Sequence, residues 1–113
     1  MPYNWRMFTF IETKLFTKLF DETFGEDDDA LSEVQEFLRR DPEAGDIVKD
    51  SGGVRKMRWG VPGRGKRGGL RIIYYLRAKQ GQIWLLTLYP KSEKDSISGW
   101  VLRKIKDEID DEG

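Results

Sequence analysis

The chain has 113 residues, 38% of them hydrophobic, which suits one domain spanning residues 1–113 with a single core. It contains no cysteine and no histidine, so disulfides, thiolate metal sites, cysteine nucleophiles and a histidine general base are excluded. No segment is apolar over the length of a membrane span, and the first residues lack a signal-peptide pattern. These features predict a cytoplasmic protein with no metal, no cofactor and no membrane partner.

The balanced net charge hides a strong segregation along the chain. Residues 1–50 contain 6 basic and 13 acidic residues, whereas residues 51–104 contain 13 basic and 2 acidic ones. The last nine residues are acidic again, with 1 lysine and 5 carboxylates. A concentrated basic surface matters more for nucleic-acid binding than net charge. The middle segment therefore predicts a face that binds a polyanion, with RNA as the first candidate. The alternative is that these charges only keep the surface solvated.

The first forty residues predict a strand followed by two helices. Residues 7–11 are aromatic and β-branched, as in a short strand. Gly25 ends the first helix, three aspartates at 27–29 open the second, and Pro42 stops it. The apolar faces of the two helices are formed by Leu15, Phe16, Leu19 and Phe20, and by Leu31, Val34, Phe37 and Leu38.

The second half changes from helical to strand periodicity. Residues 54–59, 70–77 and 83–89 predict three strands, the last two joined by a turn at 79–81. A closing helix is predicted from 96 to 109, with an apolar face of Ile97, Trp100, Val101 and Ile105. The predicted fold is α+β in the order β-α-α-β-β-β-α, with the helices on one face of an antiparallel sheet.

A glycine-rich segment from Gly60 to Gly69 matches the spacing of a phosphate-binding P-loop as far as the lysine. The match fails after Lys66, because Arg67 replaces the magnesium-ligating Ser or Thr and a strand follows where a helix is needed. Nucleotide hydrolysis is therefore not predicted. Arg64, Lys66 and Arg67 remain candidates for contacting phosphates, the alternative being a flexible hairpin loop.

A second cationic cluster is predicted on the sheet. Alternation places Lys56 and Arg58 on one face, Tyr89 and Lys91 together at the end of the last strand, and Arg71 between them. Such a set could cleave RNA without histidine, because the ribose 2′-OH can attack its own phosphate. A base removes the 2′ proton, cations stabilise the phosphorane, and an acid protonates the leaving 5′-oxygen.

Three sequence segments resemble the HigB branch of the RelE/ParE toxin superfamily. They are Gly45-Asp46-Ile47-Val48, Gly52-Gly53-Val54-Arg55-Lys56-Met57-Arg58 and Gly65-Lys66-Arg67-Gly68-Gly69-Leu70-Arg71-Ile72-Ile73-Tyr74-Tyr75. The run Leu86-Thr87-Leu88-Tyr89-Pro90-Lys91-Ser92-Glu93 continues the match, which is dense from about residue 44 to 95.

The resemblance implies a RelE-like fold and a type II toxin, a metal-independent endonuclease that cuts mRNA in the ribosomal A site. Its implied partners are the ribosome, the mRNA and a helix-turn-helix antitoxin of the HigA type. The residues implied in catalysis are Arg71, Tyr89, Lys91, Lys56 and Arg58. Those expected to contact RNA or the ribosome are Arg55, Arg64, Lys66, Arg67 and Arg77. Two alternatives share the fold: a ParE-like toxin that poisons DNA gyrase, and an inactive relative that only binds an antitoxin.

Overall fold

The computed structural model describes residues 7–60, 69–92 and 97–112. The predicted succession of strands and helices is confirmed, with one short strand added after the second helix. The strands are β1 (Thr9–Glu12), β2 (Asp46–Ile47), β3 (Arg55–Trp59), β4 (Leu70–Arg77) and β5 (Gln82–Pro90). The helices are α1 (Lys14–Phe24), α2 (Asp28–Arg40) and α3 (Gly99–Asp111).

The ends of α1 and α2 lie where the sequence signals predicted them, whereas α3 was predicted from 96 to 109 and runs from Gly99 to Asp111. The Thr13 side chain accepts a hydrogen bond from the Phe16 backbone N–H and begins α1. Gly25 ends that helix with φ 70°, a left-handed conformation that glycine adopts without a steric penalty. Asp27 caps α2 by accepting from the backbone N–H groups of residues 29 and 30. Each cap satisfies N–H groups that a helix terminus leaves without an intrahelical partner.

The sheet has the order β1-β5-β4-β3-β2 and is mixed rather than antiparallel. Strands β3, β4 and β5 form the predicted antiparallel meander, but β1 pairs parallel to β5, with Thr9 opposite Gln82. The prediction of a wholly antiparallel sheet is therefore wrong at this edge. Residue alternation predicts which face a side chain occupies and carries no information about the direction of the neighbouring strand.

Helices cover both faces of the sheet, whereas the sequence was interpreted as placing them on one face. Helices α1 and α2 pack on one side, where the core includes Phe16, Phe20, Val34, Leu38, Met57, Ile72, Tyr74, Ile83 and Leu85. Helix α3 packs on the other, where the core includes Val54, Ile73, Leu86, Tyr89, Leu102 and Ile109. The reason lies in β4 and β5, which carry apolar side chains toward both sides, as in sheets buried on both faces.

The apolar face of α3 differs in phase from the prediction. Leu102 and Ile109 are its buried residues, and Ile97 and Ile105 pack beside them as expected. Trp100 and Val101 are instead 65% and 51% exposed. By the 3.6-residue period Trp100 points away from the stripe of Leu102, Ile105 and Ile109, and Val101 lies at its margin, so the prediction that both are buried was wrong. Among the residues described, no helix is long and apolar enough to cross a membrane.

A polar cluster fastens the end of α3 to the far end of the sheet. Asp110 accepts hydrogen bonds from the Tyr75 hydroxyl at 2.9 and 3.0 Å, and forms ion pairs with Arg77 Nε at 3.2 Å and Lys106 Nζ at 2.9 Å. Arg77 also donates to the Gln82 side chain at 3.0 Å. Burial alone raises the pKa of Asp110, but hydrogen bonds from Lys106 and Tyr75 outweigh it and hold that pKa below its ordinary value.

This cluster predicts an acid-sensitive contribution to stability. Because the pKa of Asp110 is lower in the folded protein, its contribution is complete above the ordinary aspartate value of about 3.9 and is lost as pH falls through the lowered value. We expect Asp110→Asn to lower the melting temperature at neutral pH and to flatten its fall below about pH 4. The exposed neighbour Asp111, changed to Asn, is the control. Thermal unfolding of all three proteins across pH checks this, and equal acid sensitivity of wild type and Asp110→Asn would contradict it.

Candidate functional site

One row of side chains crosses three strands on the α3 face of the sheet. Arg58 of β3 lies opposite Arg71 of β4, which lies opposite Tyr89 of β5. Opposed residues in a sheet point to the same face, and neighbouring strands are about 4.8 Å apart, so the row spans about 10 Å. Lys56 lies opposite Ile73 on the same face, two residues along β3. The structure thus places four of the five catalytic candidates predicted from the sequence on one face of the sheet: Lys56, Arg58, Arg71 and Tyr89.

The cations of this row carry no carboxylate partner in the described part of the chain. Ion pairs there involve Arg39, Arg55, Arg77 and Lys106, and none involves Lys56, Arg58 or Arg71. Arg71 has one long hydrogen bond, from its Nη1 to the Leu70 carbonyl at 3.4 Å. Like charges directly opposite on a sheet are destabilising. An arginine pair held across two strands therefore favours an anion between them, and guanidinium groups bind phosphate bidentately.

Tyr89 adds a buried hydroxyl to the row. Its residue is 6% exposed, and its hydroxyl oxygen is fully buried with no hydrogen-bond partner among the described residues. Burial raises the pKa of Tyr89, and the nearby positive charge of Arg71 only partly opposes this shift. The phenol therefore keeps its proton at neutral pH and is suited to donate it. An unpaired buried hydroxyl is costly for stability, which is typical of a group reserved for a ligand.

A groove of about 540 Å³ opens beside the row, where β2 ends and leaves the edge of β3 uncovered. Its volume is in the range of small-ligand sites, about 300–1,000 Å³. The lining residues are Phe37, Ala44, Asp46, Lys56, Met57, Arg58 and Arg71. A chain of phosphates could therefore contact cations both in the groove and in the row.

Lys91 lies just beyond the end of β5. Its backbone N–H donates to the Gly69 carbonyl at 3.2 Å, which extends the β4–β5 pairing by one step and keeps Lys91 on the Tyr89 face by alternation. Its side chain is exposed, and it is not among the residues that line the groove. Lys91 therefore borders the row rather than lying within it.

Two arginines expected to contact RNA are engaged in the fold. Arg77 is 9% exposed and bound to Asp110 and Gln82 at the opposite end of β4 from Arg71. Arg55 donates to the backbone carbonyls of Glu43 and Gly45, at 3.2 and 2.7 Å. Both contribute to folding in this structure, and we leave them out of the proposed RNA-contacting set. Arg64, Lys66 and Arg67 lie outside the described residues.

The sequence interpretation missed Asp46 and Phe37 as members of the groove. Phe37 was assigned to the core of α2, yet it is 42% exposed and meets Trp59 edge to face at 5.5 Å. Asp46 belongs to a two-residue strand, which is too short to show any period. Only the pairing of β2 with β3, which puts Asp46 opposite Lys56, brings it to the cationic cluster.

No family model matches the sequence. The structure is similar to that of an arginine-to-alanine double mutant of the E. coli toxin RelE in the free state, with a TM-score of 0.60. The two chains are 10% identical, and the match covers 88% of this chain and 96% of the other. At this identity the likeness establishes a common fold, so the α+β architecture described above is RelE-like.

Proposed function

We propose that the protein is a toxin of a type II toxin–antitoxin system that cleaves mRNA on the ribosome. The observation that carries the proposal is the Arg58–Arg71–Tyr89 row, an unneutralised cation pair beside a buried, protonated phenol. The RelE-like fold and the sequence resemblance to the HigB branch support it. The cationic row argues against the alternative of a gyrase-binding toxin that does not cut RNA.

The proposed reaction is internal transesterification of RNA. The 2′-oxygen loses its proton and attacks the adjacent phosphorus, the P–O5′ bond breaks, and the products carry a 2′,3′-cyclic phosphate and a 5′-hydroxyl. Arg71 and Arg58 would hold the phosphate and stabilise the additional negative charge of the phosphorane. Tyr89 would protonate the departing 5′-oxygen, because its raised pKa keeps it in the donor form.

We assign the remaining step, removal of the 2′ proton, to a lysine amine at the border of the row. Lys56 and Lys91 flank the row on this face, one on each side. The flanking cations together supply the charge stabilisation, so the proposed chemistry is metal-independent. The acidic helices would face away from ribosomal RNA, and a helix-turn-helix antitoxin would neutralise the toxin. The protein would act in the cytoplasm, where its ribosomal substrate is.

Programmed ribosomes provide the direct test. Purified protein is added to ribosomes stalled on a defined mRNA, and the RNA ends are mapped at single-nucleotide resolution. We expect cuts in the codon that occupies the A site, and no cuts in the same mRNA without ribosomes.

Supercoiling by DNA gyrase is measured with the same preparation. Gyrase inhibition with intact mRNA would replace the proposal with the ParE-like function. Intact mRNA and normal supercoiling together would favour an inactive, antitoxin-binding relative.

A further inference from the structure

One carboxylate lies among the cations of the groove. Asp46 is exposed, lines the groove with Lys56, Arg58 and Arg71, and lies directly opposite Lys56 across the β2–β3 pair. The two side chains do not approach within ion-pair distance, so Asp46 does not serve to neutralise Lys56. A carboxylate repels the phosphates that the neighbouring cations attract, and its presence there therefore points to a different part of the nucleic acid.

The backbone before Asp46 is held unusually firmly. The Tyr74 hydroxyl accepts from the Gly45 N–H at 2.9 Å, and Arg55 donates to the Gly45 carbonyl at 2.7 Å. The Tyr74 hydroxyl also donates to the Pro42 carbonyl at 2.8 Å. A side chain at Gly45 would collide with the Lys56 carbonyl oxygen, only 2.9 Å from where a Cβ would lie. The side chains of buried Tyr74 and partly buried Arg55 thus fix the N–H and C=O groups of Gly45, next to the exposed Asp46, as expected of a recognition group on a rigid support.

Asp46 lies to one side of the Arg58–Arg71–Tyr89 row. Along the sheet it lies two strands from Arg71 and two residues along, which places their Cα atoms about 12 Å apart. Both residues line the groove, so RNA held at a phosphate by Arg71 could present a neighbouring base to Asp46. Asp46 would therefore meet a nucleotide flanking the cut.

Phe37 provides the second half of a base-binding site. It lines the same groove from the α2 side of the uncovered β3 edge, and the residue is 42% exposed. Aromatic side chains bind single-stranded bases by stacking, and neighbouring polar groups then read the Watson–Crick edge. A carboxylate accepts hydrogen bonds only, so it favours bases that offer donors on that edge. Guanine offers two, its N1–H and its exocyclic amine, adenine and cytosine offer one amine each, and uracil offers only its N3–H.

We propose that Asp46 and Phe37 form a nucleobase pocket that selects guanine beside the scissile phosphate and discriminates against uracil. The inference rests on the proposed function in that it takes single-stranded RNA as the ligand. It adds the base that is read and the two residues that read it.

Binding of uncleavable RNA tests the pocket separately from nuclease activity. The probes are 2′-O-methyl hexamers UUXUUU, in which X is guanosine, inosine, adenosine, cytidine or uridine, measured by fluorescence anisotropy. Wild-type protein should bind the guanosine probe about tenfold more tightly than the uridine probe. Inosine, which lacks the exocyclic amine, should fall between them.

Asp46→Asn keeps the shape of the side chain but adds a donor and removes the charge. We expect the guanosine preference to fall below about twofold, while affinity for the uridine probe rises because a repulsive charge is lost. Phe37→Leu should weaken all five probes about equally, since stacking is tolerant of sequence. Asp21→Asn, at an exposed carboxylate of α1, is the matched control and should behave as wild type.

Equal binding of all five probes by wild type, no binding at all, or an unchanged preference in Asp46→Asn would each overturn the pocket. These outcomes are distinct from failure of the nuclease proposal. A guanosine preference that Asp46→Asn abolishes, together with intact mRNA on programmed ribosomes, would support the pocket and reject the cleavage. Cuts in the A-site codon, with the same base preference in the wild type and in Asp46→Asn, would support the cleavage and reject the pocket.

Discussion

Arg71→Ala is expected to reduce mRNA cleavage on programmed ribosomes by about 100-fold or more while leaving the protein folded. Arg71 lies at the centre of the row, between Arg58 and Tyr89, and is the cation closest to the proposed transition-state charge. Its removal should cost little stability, because the side chain is half-buried and, within the described residues, makes one hydrogen bond, which is 3.4 Å long. Cleavage rates and thermal unfolding measured on the same preparations give both halves of the result.

Two further variants sharpen the Arg71 experiment. Arg71→Lys keeps the charge but loses bidentate phosphate binding, so its rate should fall between those of wild type and alanine. Lys79→Ala removes one positive charge from the turn at the opposite end of the sheet and should cleave normally. If Arg71→Ala cuts ribosome-bound mRNA at the wild-type rate, the row is not the site of the reaction.

Tyr89→Phe is expected to separate activity from stability. Loss of the proposed proton donor should slow cleavage by at least about 100-fold. Stability should stay the same or rise by up to about 1 kcal/mol, since the change deletes a buried hydroxyl that has no partner in the described part of the chain. Single-turnover cleavage and chemical denaturation measure the two effects.

Tyr75→Phe is the matched control for Tyr89→Phe. Tyr75 lies on the same face, but its hydroxyl bonds to Asp110, so this variant should lose stability and keep its cleavage rate. Tyr89→Phe active with Tyr89→Ala inactive would mean that the ring matters for its packing in the core and that Tyr89 transfers no proton. Full activity of both would remove Tyr89 from the mechanism.

The convergence of the cationic row was predictable because it depends on alternation within strands. Once β3, β4 and β5 form a meander, side chains two apart on each strand share a face, and Lys56, Arg58 and Arg71 follow. Alternation along β5 alone does not predict the face on which Tyr89 lies. Irregular pairing between Ile73 and Tyr74 of β4 and the opposing strand leaves Leu86 as an extra residue in β5, which shifts the phase of every later side chain.

What the sequence did not predict depends on contacts between distant segments. The parallel pairing of β1 and the packing of α3 on the opposite face follow from which apolar surfaces remain uncovered once the meander has formed. Arg77 resembles Arg71 in sequence context, yet it lies at the other end of the strand, where Asp110 of α3 meets it. Only the three-dimensional position of α3 distinguishes Arg71, which we propose to bind phosphate, from Arg77, which holds a helix in place.

The parallel edge also affects how the chain folds as it is synthesised. Thr13, at the start of α1, donates its hydroxyl hydrogen to the Leu86 carbonyl at 2.7 Å, across 73 residues of sequence. Because α1 packs against β5, the surface that buries Phe16 and Phe20 is incomplete until β5 has been synthesised. Such non-local closure folds on the slow side for a domain of this size. During that interval the Arg58–Arg71–Tyr89 row is also incomplete, because Tyr89 belongs to β5.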